Sequence, residues 1–150
     1  MIDRAKKTKS SRGSRAASRG KFEIRIRRIY DDSSAGEGAR FLVDGLWPRG
    51  VRKQALASVK WVREIAPSAS LRKWYGHDPE KWKEFQKRYR SELQKNAVAW
   101  KPLVKAAKEG AVTLLTATRE VEIGHATVLR EFLKREAAAS RRLRASTVSR

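Results

Sequence analysis

Two short segments in the middle of the chain carry the side chains that could do chemistry. They are Val43-Asp44-Gly45-Leu46-Trp47-Pro48-Arg49-Gly50 and Leu71-Arg72-Lys73-Trp74-Tyr75-Gly76-His77-Asp78-Pro79. Indoles, guanidiniums and an imidazole crowd into stretches punctuated by Gly and Pro, and loops on a rigid scaffold are where binding groups concentrate. Asp44 could act as a base, orient a substrate hydroxyl or pair with Arg49. Arg49, fixed between Pro48 and Gly50, suits bidentate capture of phosphate or carboxylate. Trp47 and Trp74 can stack on a base or another ring, and Arg72 and Arg88 add further guanidiniums.

His77 and His125 are the only histidines, so imidazole chemistry falls to them, with Asp44 as the third candidate for handling protons. Asp78 reads as a helix cap. Thr116-Ala117-Thr118-Arg119 runs from a strand end towards a helix and offers backbone donors and Arg119 to an anion. Glu120 and Glu122 in the following turn oppose one. The chain has no Walker loop, Gly-x-Gly-x-x-Gly turn, Gly-x-Ser-x-Gly elbow or His-Glu-x-x-His helix, and nucleophilic catalysis has little support.

The elements that must position these groups show in the residue pattern. Phe22, Ile24 and Ile26 alternate with Glu23, Arg25 and Arg27, the period of a half-buried strand ending near Tyr30. Asp31 to Gly38 is a turn, and Phe41-Leu42-Val43 is a short strand whose continuous apolar run predicts burial on both faces. Leu56 to Ile65 is ambiguous between strand and helix, and Leu71 to Tyr75 forms a helical turn. Asp78-Pro79-Glu80 is a helix start, followed by Trp82, Phe85, Tyr89 and Leu93 at helical spacing, a core stripe. Asn96 caps another helix that Gly110 closes, Val112 to Leu115 is a third strand, and Ile123 to about Lys134 is a last helix. Alternating strands and helices predict a small single α/β domain, a short sheet with helices packed on its faces.

Composition bounds the partners. The 36 Lys and Arg outweigh 16 Asp and Glu for a net charge of +20. Residues 1–28 and 134–150 contribute most of that excess, so the reading is a disordered basic N-terminal tail (1–21), a domain (22–133) and a basic C-terminal tail (134–150). Such tails attract nucleic acid or another polyanion without sequence recognition, or serve only as solvated extensions. There is no cysteine, which excludes a disulfide framework, a thiolate nucleophile and cysteine-ligated metal. With no apolar run long enough to span a bilayer and no signal-peptide core, a cytoplasmic protein is expected.

The 43–50 segment, Ala66-Pro67-Ser68 and the 71–79 segment together resemble the YeaO-like family of small bacterial proteins, which carries a domain of unknown function. So do Trp82, Phe85, Arg88, Tyr89, Glu92 and Leu93, then Val112-Thr113-Leu114-Leu115 and His125-Ala126. The resemblance covers about Ile24 to Leu133. It implies a compact cytoplasmic α/β domain and brings no established activity. The chain departs from the family pattern at Gly45 (usually Arg), Thr116 (usually Tyr), Glu120 (usually Asp), and Ile123 and Gly124 (usually His and Asn). The residue types for a two-histidine, one-carboxylate metal site exist in His77, His125 and Asp78 or Glu120. The missing His at position 123 counts against it, and no metal or other cofactor is expected.

Two functional expectations follow. One is a binding module for a phosphate-bearing or nucleic-acid ligand, held by Trp47, Arg49, Arg72, Trp74, Arg88 and Arg119. The other is a small enzyme acting on an anionic metabolite or nucleotide, with Asp44, His77 or His125 moving protons and Arg49 or Arg119 holding the anion.

Overall fold

The computed structural model describes residues 22–33 and 35–148; the N-terminal tail expected over residues 1–21 lies outside them. Strands β1 (Ile24–Arg28), β2 (Ala39–Leu42), β3 (Lys60–Trp61) and β4 (Val112–Thr116) form one sheet in the order β1-β4-β2-β3, with every pairing parallel. The helices are α1 (Ala69–Tyr75), α2 (Trp82–Gln94), α3 (Ala97–Glu109) and α4 (His125–Val148). The chain is a small α/β domain.

A strand in the interior of a parallel sheet is covered on both faces and reads as an unbroken apolar run. β4 is that strand. Val112, Leu114 and Leu115 are fully buried, and Thr113 and Thr116 are buried beside them. Ile24 of β1 and Ala39 of β2 both lie opposite Val112, one on each side. β1 is at the sheet's edge: Ile24 is buried, while Arg25, Ile26, Arg27 and Arg28 are all half-buried, so the alternation of residue types is not matched by an alternation in burial. The ambiguous stretch from Leu56 to Ile65 is neither a full strand nor a helix. Only Lys60 and Trp61 pair with β2, flanked by 3-10 turns at Lys53–Leu56 and Arg63–Ile65.

The helix starts are local. Ser68 caps α1 by accepting from the Leu71 N–H at 3.2 Å, and Glu92 of α2 accepts in turn from the Ser68 amide (2.9 Å) and hydroxyl (2.6 Å). Asp78 accepts from the Glu80 N–H at 3.0 Å and opens the turn Pro79–Lys81 that leads into α2. On α2, Phe85, Tyr89 and Leu93 are buried as the spacing predicts. Asn96 does not cap α3; its amide donates to the Glu64 carbonyl at 2.9 Å and ties the α2–α3 junction to the loop after β3.

The last helix differs most from expectation. It begins at His125, after a 3-10 turn at Val121–Ile123, and runs past Lys134 to Val148. The large apolar residues give way there to Ala137-Ala138-Ala139, which keep high helix propensity without marking a stripe. Ala137 is fully buried, Lys108 of α3 donates to Ser140 at 2.5 Å, and the Arg141 guanidinium lies 4.3 Å above the Phe22 ring. α4 thus packs on α2, α3, β1 and β4. No helix among the described residues is long and apolar enough to cross a membrane.

Candidate functional site

Parallel strands end on the same side, and the chain leaving β1, β2 and β4 there encloses a cavity of about 390 Å³. Tyr30 follows β1, Asp44 to Arg49 follow β2, and Ala117 and Thr118 follow β4. Pro67, Arg72, Tyr75, Phe85, His77 and His125 close it from the helical side. This is the place at which open parallel sheets gather ligands, and the volume is within the usual range for small-molecule sites.

Asp44 forms its floor. Thr116 Oγ1 donates to Asp44 Oδ1 and the Ala117 N–H donates to Oδ2, both at 2.7 Å. His125 Nε2 lies 3.1 Å from Asp44 Oδ1 and 3.1 Å from the Val43 carbonyl oxygen. The side chains of Asp44 and His125 are only 13% and 11% exposed. Burial alone would raise the Asp44 pKa. The His125 hydrogen bond and charge, the Ala117 N–H and the Thr116 hydroxyl outweigh it, and hold the carboxyl below its ordinary value. Asp44 therefore pairs with His125 across the fold and not with nearby Arg49.

The walls are aromatic. Trp47 donates to the Val51 carbonyl at 2.7 Å and meets Trp61 edge-on at 5.3 Å, which holds the half-buried indole in place. Tyr75 stacks on Phe85 at 4.1 Å and donates to the Ile123 carbonyl at 2.6 Å. Burial, with the charges of Glu120 and Asp78, raises its hydroxyl pKa to about 12, so Tyr75 is a neutral donor across the working range. His77 is the sole non-glycine residue with a positive φ (56°) among the described residues, directly after Gly76 at 52°. A left-handed conformation costs a side chain roughly 1 kcal/mol. His77→Gly is expected to stabilise the fold by about that amount in urea denaturation. No gain would mean that contacts such as the ring against Tyr75 at 5.6 Å already offset the strain.

Two cations stand at the rim. Arg49 is exposed, its backbone carbonyl accepting from the Tyr30 hydroxyl at 3.0 Å. Arg72 is exposed and donates through one nitrogen to the Pro67 carbonyl at 3.0 Å. Its guanidinium rests on bare backbone at Gly45, where an added Cβ would lie 2.5 Å from Nη1. Neither arginine has a carboxylate partner among the described residues.

The other sequence candidates sit elsewhere. Arg88 lies 4.2 Å over the Trp74 ring and pairs with Glu84 at 3.0 Å, while Lys81 stands 5.1 Å from the same ring. Trp74 and Arg88 thus occupy each other outside the cavity lining. Arg119 is exposed and does not line it. The donors of Thr116-Ala117-Thr118 are also taken, because Asp44 holds the Ala117 N–H and Thr116 Oγ1 accepts from the Thr118 N–H at 3.1 Å. Asp44 itself is the anion at that strand end. Among the described residues no three His, Asp or Glu side chains are placed to hold a metal ion.

Tyr30 and Phe85 line the cavity although sequence reasoning did not single them out for it, and Tyr75 and Thr118 line it from segments whose roles were assigned to other groups. Tyr30 and Thr118 had a usable signal, since each follows a strand of what reads as a parallel sheet. Tyr75 and Phe85 had none, because core stripes and cavity walls look alike.

The family of the inactive DUF488-N3 subclade matches residues 23–149. The chain belongs to this family. YeaO of Escherichia coli, an uncharacterized protein, is 37% identical over 113 residues, covering 75% of this chain and 98% of YeaO. Uncharacterized proteins of Mycobacterium tuberculosis and Mycobacterium bovis are each 43% identical over 110 residues, 73% of this chain and 92% of theirs. No solved structure matches the chain significantly. The DUF488-N3 match contains every residue of the cavity. Around the cavity, Gly45 seats Arg72, Asp44 accepts from the Thr116 hydroxyl, and the Ile123 carbonyl takes the Tyr75 hydroxyl. Gly124 is buried, with an added Cβ placed 3.0 Å from Thr118 Cγ2.

Proposed function

We propose that the domain is a binding module whose cavity takes a small phosphate-bearing ligand. The observation that carries this reading is the pair of rim guanidiniums, Arg49 and Arg72, without acidic partners beside aromatic walls. Arginine left unpaired at a concave site is available for two-pronged contact with phosphate. Trp47, Tyr75 and Phe85 would cover an apolar or ring-shaped body. A space of about 390 Å³ suits one nucleotide-sized molecule and not a polymer. Nucleic acid would meet only the rim and the basic termini.

The enzyme alternative draws on the Asp44–His125 pair, which resembles an oriented acid–base couple. Two observations weigh against it. Both Asp44 oxygens are already engaged, and the family is described as inactive.

The test is titration of the full chain with nucleoside monophosphates and with an oligonucleotide, followed by tryptophan fluorescence. Arg49→Ala and Arg72→Ala are each expected to weaken mononucleotide binding roughly 10- to 100-fold, the loss of a charged hydrogen bond. Oligonucleotide affinity is expected to fall with salt by about 0.7–0.9 log units per neutralised phosphate and decade of salt. Mononucleotide binding that ignores both substitutions would remove the cavity from consideration.

A further inference from the structure

His125 reaches the cavity floor with one nitrogen committed. Both neighbours of Nε2, the Val43 carbonyl and the Asp44 carboxylate at 3.1 Å, only accept hydrogen bonds. Nε2 therefore carries a proton and is shared between them, which leaves Nδ1 as a bare lone pair whenever the ring holds a single proton. Nδ1 has no partner in the protein, yet no buried side-chain nitrogen or oxygen among the described residues lacks one. Nδ1 is thus open, and the space that His125 lines is this cavity.

We infer that the ligand of this cavity presents an O–H or N–H donor to Nδ1 of His125, opposite an anionic group held at the rim. The inference rests on the phosphate-ligand reading above and narrows it: the ligand combines an anion, a flat apolar body and a donor. The carboxylate behind Nε2 strengthens Nδ1 as an acceptor, the same relay by which a buried carboxylate orients an imidazole elsewhere. Asp44 acts here as a positioning residue. A ligand offering only a carbonyl or ether oxygen at the floor would face the Nδ1 lone pair with the Asp44 charge behind it, and is rejected. Discrimination follows because a ligand without a donor would strip water from Nδ1 and leave its lone pair unpaired.

The probes are phenyl phosphates carrying a hydroxyl at the ortho, meta or para position, and the matching methyl ethers. Binding to the full chain is followed by NMR, together with long-range proton–nitrogen spectra of the imidazoles. With two histidines in the chain, His77→Asn assigns both. The best hydroxyl isomer is expected to bind roughly tenfold tighter than its ether, about 1.4 kcal/mol, and to shift the His125 Nδ1 resonance. In His125→Phe that preference disappears while dependence on Arg49 remains. The Nδ1 shift is read on the unsubstituted chain, so the test stands even where that variant folds poorly.

Three results would overturn the inference. Ethers equal to phenols, with binding still dependent on Arg49 and Arg72, would sink it and leave the phosphate reading intact. A resting ring protonated at Nδ1 and bare at Nε2 would do the same. No binding by any aryl phosphate, or binding indifferent to both arginines, would take down the phosphate reading and this inference together.

Discussion

Asp44→Ala is expected to lower the stability of the folded chain by about 3 kcal/mol, since each buried donor left unpaired costs roughly 1–3 kcal/mol. The substitution strips partners from the Thr116 hydroxyl and the Ala117 N–H, and leaves His125 Nε2 with the Val43 carbonyl alone. Asp44→Asn keeps one acceptor oxygen and should cost about half as much. The effect has a pH signature. The folded pKa lies below the ordinary 3.8, so the carboxylate's contribution is complete above that value. It is lost as pH falls through the lower folded value. Urea denaturation of parent and variant at neutral and strongly acidic pH measures both parts. A neutral-pH loss under about 1 kcal/mol would contradict the hydrogen bonding described at the floor.

Gly38→Ala is expected to be at least as damaging, at the opposite end of the sheet. Gly38 has φ +68°, and a Cβ there would lie 2.0 Å from the Ala111 carbonyl oxygen and 2.6 Å from its carbon. That carbonyl cannot step aside freely, because it accepts the Ala39 N–H at 3.0 Å and leads directly into β4. The neighbouring Glu37 carbonyl is pinned as well, by the Thr113 hydroxyl at 2.8 Å. Relief requires breaking the entry of β2 into its pairing with β4. A loss of about 4 kcal/mol is expected, the range of severe steric and backbone substitutions. Gly36→Ala is the control: φ is +83°, but a Cβ meets only the tip of Arg25 at 3.7 Å. It should cost only the conformational penalty, about 1 kcal/mol. Equal effects of the two substitutions would show that the close approach to Ala111 is not what constrains Gly38.

The contrast between what could and could not be read from the sequence follows from locality. Alternation at Ile24 and Ile26, the apolar run at Val112 and the Asp78-Pro79 start are statements about neighbours, and each element exists. Ser68 as a cap was hidden because Ala66-Pro67-Ser68 also reads as a break. The helix past Lys134 was hidden because alanine propagates a helix without marking a face. For the site, chemistry singled out Asp44, Trp47, Arg49, Arg72, His77 and His125, and all of them line one cavity. What no local pattern could show is the pairing of Asp44 with His125, which depends on where a distant helix begins. Nor could it show that Trp74 and Arg88 are spent on each other. The Thr116 hydroxyl and the Ala117 N–H looked free for the same reason, since the carboxylate that accepts from them follows another strand.

The strand order also dictates when this chain can assemble. β1 ends at Arg28, yet it has no partner in the sheet before Val112–Thr116 arrives beside it. Until then β2 has only the two residues of β3. During synthesis the helices from Ala69 to Glu109 emerge as local structures, while two early strands wait with open edges. The sheet can be completed only when β4 is present between β1 and β2, and the turn after β4 leads to His125, the partner of Asp44. Chains released short of Thr116 would therefore carry exposed strand edges and no cavity. Pairing of strands so far apart in the chain is expected to be slower than formation of the local helices between them.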